Sequence, residues 1–299
     1  MRKITFLSSF FIKLFAILFM TMDHVGQFLK IQFSHNYSIL QVANIFRIFG
    51  RLSLPLFAFL IVEGVLHTKN IRKYLLRLGI LASVISLVFI TFEYIYPMPE
   101  FYSLYRAGNI FIDLTLLAVA IYFVRHENKK LRLITLLPIA FSILSFIVKC
   151  IETSQSIEIK WFPYFLTMQY DWFTIALGLA FYFSYIFADL YIKYLQPVSG
   201  LDKQMWISNG NYRLLVNLFA VLTSSIIHIF FYLFVYMYPD GVFWNASIQV
   251  YALFSSAFIL LYSGHRGYNA KWFQYGSYLY YPLHIIALVI VAIIMNGGL

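Results

Sequence analysis

The sequence predicts an all-α polytopic membrane protein, a bundle of about nine transmembrane helices with a cytoplasmic N-terminus. Three observations predict it. Hydrophobic residues make up 62% of 299 positions against 11% charged, and the mean hydropathy is +0.78. A water-soluble domain of this size needs far more polar surface. The apolar residues also gather into runs close to the ~20 residues that a helix needs to cross hydrocarbon. Lys and Arg, finally, collect in alternate connections between those runs, as the positive-inside rule leads one to expect.

The runs fall at 10–29, 45–66, 74–96, 109–124, 131–151, 172–195, 214–238, 247–263 and 273–295. The fourth and eighth are short, which fits tilted, broken or partly crossing helices. The basic N-terminus resembles the start of a signal peptide, but the apolar run is long, contains Lys13 and lacks a small-residue cleavage site. It reads as a retained first span. With the N-terminus inside, inner segments carry fifteen Lys and Arg, and outer segments carry six: Lys30, Arg47, Arg51, Arg106, Lys149 and Lys160. No repeat, low-complexity tract or soluble insertion stands out, so residues 1–299 read as a single integral membrane domain.

The net charge of +10 is spread over short inner loops and not over a solvated face, which argues against nucleic acid as a partner. The single cysteine, Cys150, cannot form an internal disulfide. No metal-ligand motif, phosphate-binding glycine loop or dinucleotide fingerprint is present, so no metal site is expected.

What remains is ionisable groups inside apolar runs, where a charge costs on the order of 3 kcal/mol and usually faces the bundle interior. Asp23 and His24 interrupt the first run, with Gln27 one turn on. They fit either a proton-handling site or a structural salt link to Arg47 or Arg51. Those two arginines, four residues apart near the outer end of the second run, suit an anionic or carbonyl group. Snorkelling to lipid phosphate is the plainer alternative. Pro55 follows, expected to kink the helix and release backbone groups. Glu63 and His67 form a second pair toward the cytoplasm, where Glu63 is deep enough to need a partner and His67 is as readily interfacial. Asn109 and Asp113 open the fourth run. His284 follows Tyr280, Tyr281 and Pro282 in the ninth, and a lone histidine there is as readily a packing residue. Asp171 and His228 read as packing residues. A buried base with anion-holding groups at both faces fits group transfer across or within the membrane.

The blocks "IKLFAILFMTMDHVGQF", "RIFGRLSLPLFAFLIVEGVLHTKNIRKYLLRLGI", "NIFIDLTLLAVAIYF", "YDWFTIALGLAFY", "ILLYSGHRG" and "YGSYLYYPLHIIAL" occur in order over most of the chain. Together they resemble the TraX family. The pattern GR-x-x-x-P-x-FAFL-x-x-EG-x-x-HT is the most specific, and YPLH comes next. The resemblance implies an acetyltransferase of the bacterial plasma membrane, akin to the family's pilin N-acetylase and, more distantly, to membrane acyltransferases that modify outward-facing sugars. It implies cytoplasmic acetyl-CoA as co-substrate and an extracytoplasmic protein or glycan as acceptor. Under it, His24, Asp23, Arg51 and Glu63 are the expected catalytic residues. Arg72, Lys73, Arg77, Arg266, His284 and Tyr281 are expected to hold acetyl-CoA. Arg47, Gln27, Asn109 and Asp113 are expected to hold the acceptor. Two other classes stay open: a proton-coupled transporter or flippase with Asp23, His24 and Glu63 as relay, and a non-catalytic assembly factor.

Overall fold

The computed structural model describes residues 4–91, 94, 108–155, 159–237 and 246–295, and every regular element among them is helical. Among the described residues seven helical stretches are long and apolar enough to cross a bilayer: Ser9–Gln32, Tyr37–His67, Ile71–Ile90, Lys129–Glu152, Trp172–Ser199, Asn211–Met237 and Lys271–Met295. Shorter apolar helices lie at Ile110–Val124 and Val250–Leu260. Each matches one of the expected runs, and the all-α polytopic membrane class stands. The expected ends at 96 and 238, and Arg2, Lys3 and Arg106 of the charge count, lie outside the described residues.

The main helices are α1 (Ser9–Gln32), α2 (Tyr37–Gly50), α3 (Ser53–His67), α4 (Ile71–Ile90) and α5 (Ile110–Val124). They continue as α6 (Leu136–Gln155), α7 (Trp172–Ser199), α8 (Asn211–Met237) and α9 (Lys271–Met295). Asparagine starts several of them. Asn36, Asn70 and Asn109 accept from the backbone N–H of Ile39, Lys73 and Phe111 at 3.2, 3.0 and 2.9 Å. Each cap satisfies a donor that the first turn leaves without an intrahelical partner.

The second run differs from expectation in an informative way. It is two helices, α2 and α3, that meet at Arg51 and Leu52. Pro55 sits in the first turn of α3, where its missing N–H has no intrahelical bond to lose. The break therefore precedes the proline. Arg47, Arg51 and Lys149, counted among the outer cations, are buried on or beside helices. Removing these three from the six outer cations leaves three, and the asymmetry grows.

Packing divides the chain into two units. One comprises Met1–Phe57, Ser184–Tyr232 and Asn245–Leu299; the other comprises Ala58–Phe183 and Leu233–Trp244. In the first unit, glycine lets α1 and α2 approach closely. A Cβ added to Gly26 would stand 2.7 Å from the carbonyl oxygen of Ala43, and one on Gly50 would stand 2.7 Å from Cα of Asp23. Small residues are what bring helix backbones together where water supplies no driving force. The amides of Ser9 and Phe10, at the start of α1, donate to the carbonyls of His265 and Arg266 at 2.8 and 3.0 Å. Lys13 lies 5.7 Å from the ring centroid of Phe273 on α9.

In the second unit α5 is a buried core helix, with Leu117, Ala118, Ala120 and Ile121 at zero exposure. The segment 159–171 docks against its neighbours: Ser86 Oγ donates to Phe165 O at 2.8 Å, and Tyr164 Oη to Phe89 O at 2.7 Å. Arg125 Nη1 donates to Val65 O at 2.7 Å near the end of α3, where orphan carbonyls collect.

The outward faces are apolar. Leu76, Ile80, Val84 and Leu87 on α4, and Leu279, Leu283, Ile286 and Ile290 on α9, are exposed at helical spacing. Such stripes belong against lipid.

Candidate functional site

Neighbouring residues on a helix diverge by about 100°, so Asp23 and His24 cannot address one atom. They address different helices. Asp23 turns to the α2–α3 junction, where Arg51 Nη2 donates to its Oδ1 and Arg47 Nε stands 4.0 Å from the same oxygen. Arg51 is 4% exposed and Arg47 7%. That burial removes snorkelling as their explanation and makes the salt link real. Arg51 also donates through Nε to Arg47 O at 3.3 Å, and through Nη1 to Gln249 Oε1 at 3.5 Å. Its planar fork thus spans three partners, which a lysine could not do.

His24 turns to α9. Its Nδ1 lies 2.6 Å from Nε2 of His284, with the rings nearly parallel at 17° and 4.9 Å between centroids. His284 Nδ1 lies 2.9 Å from the carbonyl oxygen of Tyr280 one turn back. The Tyr280 ring stacks on His284 at 5.1 Å, and Tyr281 stands edge-on to both imidazoles. Thr21 Oγ1 donates to Ile17 O at 2.8 Å, so it accepts from Tyr280 Oη at 2.8 Å. The pair of histidines is held by α1 on one side and by two tyrosines of α9 on the other.

One unit therefore gathers Asp23, His24, Arg47, Arg51, Tyr281 and His284, which the sequence divided between catalysis, donor and acceptor. Gln27 lies one turn beyond Asp23 on α1 and is partly exposed. Arg266 is exposed in the connection before α9. Glu63, Arg72, Lys73, Arg77, Asn109 and Asp113 belong to the other unit. Glu63 is buried on α3 with its Oε2 3.7 Å from Nδ1 of the exposed His67, which donates to Glu63 O at 2.9 Å. Arg72 and Lys73 are exposed at the start of α4, and Arg77 Nε donates to Lys73 O at 3.1 Å.

Asn109 and Asp113 are wholly buried and engaged with their own unit. Asn109 Nδ2 donates to Ala82 O and Ser86 Oγ at 2.8 and 3.0 Å. Asp113 accepts from the amides of Gln169 and Tyr170 at 2.5 and 2.9 Å, and from Thr174 Oγ1 at 2.9 Å.

Gln249 was not among the expected residues. It is 4% exposed, and because Oε1 faces Arg51, the orphaned atom is the donor Nε2, with no hydrogen-bond partner among the described residues. An unmet buried donor costs about 1–3 kcal/mol, which a ligand carbonyl would relieve. In sequence it lies near the start of the eighth apolar run, 247–263, and no periodicity marks it as interior. The site as built offers an imidazole pair for proton transfer. Beside it stand paired guanidinium groups and an amide for developing negative charge.

Apolar spans around a buried ionisable cluster define a multi-pass bacterial membrane protein with its polar machinery inside the bundle. The family model of the TraX protein matches residues 8–292, and the chain belongs to the TraX family. It is 28% identical to the "Probable fimbrial assembly protein FimC, serogroup H1" of Dichelobacter nodosus, with 96% of each chain covered. No solved structure matches.

Proposed function

We propose that this protein transfers an acetyl group from acetyl-CoA to an amine or hydroxyl of an extracytoplasmic acceptor. The observation that carries the reading is His24: a partly buried imidazole bonded to a second imidazole, beside a part-buried Asp23–Arg51 ion pair, in a TraX-family chain. His24 acts as general base on the acceptor. Arg51, seated by Asp23, and the amide nitrogen of Gln249 face the oxyanion that forms when the thioester carbonyl is attacked. Arg47 and Gln27 orient the acceptor, while Asn109 and Asp113 stay with the internal bonds they make. The exposed Arg266, in the unit that carries His24, attracts the phosphates of the carrier. The FimC relative is described as a fimbrial assembly protein, which favours a pilus subunit over a glycan as acceptor.

The test is acetyl-CoA itself. Specific binding stabilises by RT ln(1 + [L]/Kd), about 3 kcal/mol at hundredfold excess. Purified protein in lipid nanodiscs should unfold at higher temperature with acetyl-CoA and label an acceptor peptide with radioactive acetyl. His24→Ala should end labelling while keeping the thermal shift, and Arg266→Ala should raise the apparent donor constant more than it lowers turnover. The same FimC description also favours a second reading, a non-catalytic assembly factor. That reading requires neither a shift nor labelling.

A further inference from the structure

The hydrogen bonds around His284 determine which nitrogen of His24 is the base. A backbone carbonyl only accepts, so the 2.9 Å contact of His284 Nδ1 with Tyr280 O places the His284 proton on Nδ1. A neutral imidazole protonated on Nδ1 carries its lone pair on Nε2. That lone pair faces Nδ1 of His24 at 2.6 Å, so in the neutral pair His24 supplies the proton there. The lone pair of His24 is then on Nε2, the nitrogen turned away from the pair. A neutral imidazole in water favours the opposite tautomer, with the proton on Nε2, so the bundle has imposed the less common form.

We propose that His284 is a positioning residue which, through a relay from the Tyr280 carbonyl, fixes His24 as its Nδ1–H tautomer and makes Nε2 the basic atom. This rests on the acetyl-transfer reading for its use, though not for its geometry. In the reaction, the acceptor N–H or O–H gives its proton to His24 Nε2 as its heteroatom bonds to the thioester carbon. His24 is then a cation bearing both N–H groups, and the Nδ1–H bond to His284 Nε2 strengthens. Collapse of the tetrahedral intermediate breaks the C–S bond, and the proton on Nε2 passes to the departing thiolate. Acceptor and donor exchange one acetyl group and one proton, and both histidines return to their starting form. In hydrolases with a carboxylate behind the histidine, the carboxylate accepts that same Nδ1–H. Here a neutral imidazole does so, and Asp23 is left to Arg51.

Other features support the assignment. Tyr280 stacks on His284 and Tyr281 stands edge-on to both rings, so two tyrosines of α9 frame the pair in the orientation the relay needs. Tyr280 is itself anchored to Thr21 on α1, the helix that carries His24. The relay thus spans the two helices whose separation it depends on.

The test reads tautomers directly, on protein without substrate. The full chain, labelled with 15N-histidine and held in lipid nanodiscs, is measured by solid-state NMR. His284→Gln and His24→Asn identify the two residues among the seven histidines. The expected result is protonated Nδ1 and bare Nε2 on both rings. A His24 that carries its proton on Nε2 overturns the proposal. The second arm separates positioning from structure. His284→Gln presents a side-chain carbonyl that can accept from His24 Nδ1–H, so it should keep the His24 tautomer and turnover within about tenfold. His284→Leu should let His24 revert to the Nε2–H form and lose about a hundredfold or more in turnover. An unchanged His24 spectrum in His284→Leu also overturns it. Because the spectra need no acetyl-CoA, failed labelling of the wild-type chain would sink the transferase reading and leave the relay standing; the converse result would spare the transferase.

Discussion

Lys149, Asp171 and Asp113 in one unit, and Asp23, Arg47 and Arg51 in the other, are clusters of ionisable side chains withdrawn from water in a membrane protein. What they bind differs. Lys149 Nζ donates to Met168 O and Gln169 O at 2.7 and 3.4 Å and pairs with Asp171 at 2.5 Å. Asp171 accepts from Ser145 Oγ at 2.6 Å, and Ser145 Oγ accepts from the Met168 amide at 3.0 Å. With Asp113 on the amides of Gln169 and Tyr170, the whole group serves the backbone of residues 168–171. It is a clasp on a non-helical segment that lipid could not solvate. In the other unit the charges bind side chains from different elements, with one amide donor left over at Gln249. A cluster aimed at backbone holds a shape, whereas one aimed at other side chains keeps donors and acceptors that chemistry can use.

The largest expected effect tests the clasp. Lys149→Met leaves Asp171 buried without its cation, which costs about 3–5 kcal/mol when one partner of a buried pair is removed. Unfolding in mixed micelles should show that loss. Adding Asp171→Asn should recover much of it, because the uncompensated charge is gone and asparagine tolerates the positive φ of 52° at that position. A Lys149→Met protein as stable as wild type would mean that the clasp is not structural and the contrast collapses.

Next comes the approach of α1 to α2. Gly50→Ala puts a methyl against Asp23 Cα and pushes the carboxylate from Arg51. Overpacking of this kind costs about 1–3 kcal/mol. The proposed acetyl transfer should fall further than stability does, since the guanidinium loses its seat. If stability falls and turnover per folded molecule does not, Asp23 and Arg51 serve only to join helices, and the two clusters are alike after all.

How much of this was legible in the sequence follows from what each feature depends on. The spans depend on local composition, and the apolar runs showed them. Asp23, His24 and Arg51 stood out because a charge in oil is costly wherever it points. The pairing of His24 with His284 joins residues 260 positions apart, and no periodicity within either helix encodes a distance between helices. The split at Arg51 was hidden because Pro55 drew attention to the wrong side of the break. Lys149, near the end of the fifth run, was counted only among the outer cations, since its partner Asp171 lies beyond a polar connection that only folding brings back. Gln249 carried no signal at all. An uncharged amide near the start of an apolar run becomes notable only when its surroundings are known to be dry.

The smallest expected effect concerns Tyr280, where the two kinds of contact can be told apart within one residue. Its carbonyl belongs to the backbone and its hydroxyl to the contact with Thr21. Tyr280→Phe keeps the carbonyl and the stacked ring but removes the hydroxyl. Thr21 Oγ1 still donates to Ile17 O, so only one acceptor function of a hydroxyl is left unused. The net cost of a typical hydrogen bond is about 0.5–1.5 kcal/mol, and this substitution should fall at the low end. Turnover should stay within a few-fold, about what 1 kcal/mol allows. Tyr280→Leu keeps the carbonyl but loses the ring against His284, and its turnover should drop further than that of Tyr280→Phe. Were the phenylalanine variant as impaired as the leucine one, the hydroxyl would be setting the distance between α1 and α9, and the histidine pair would depend on that single bond.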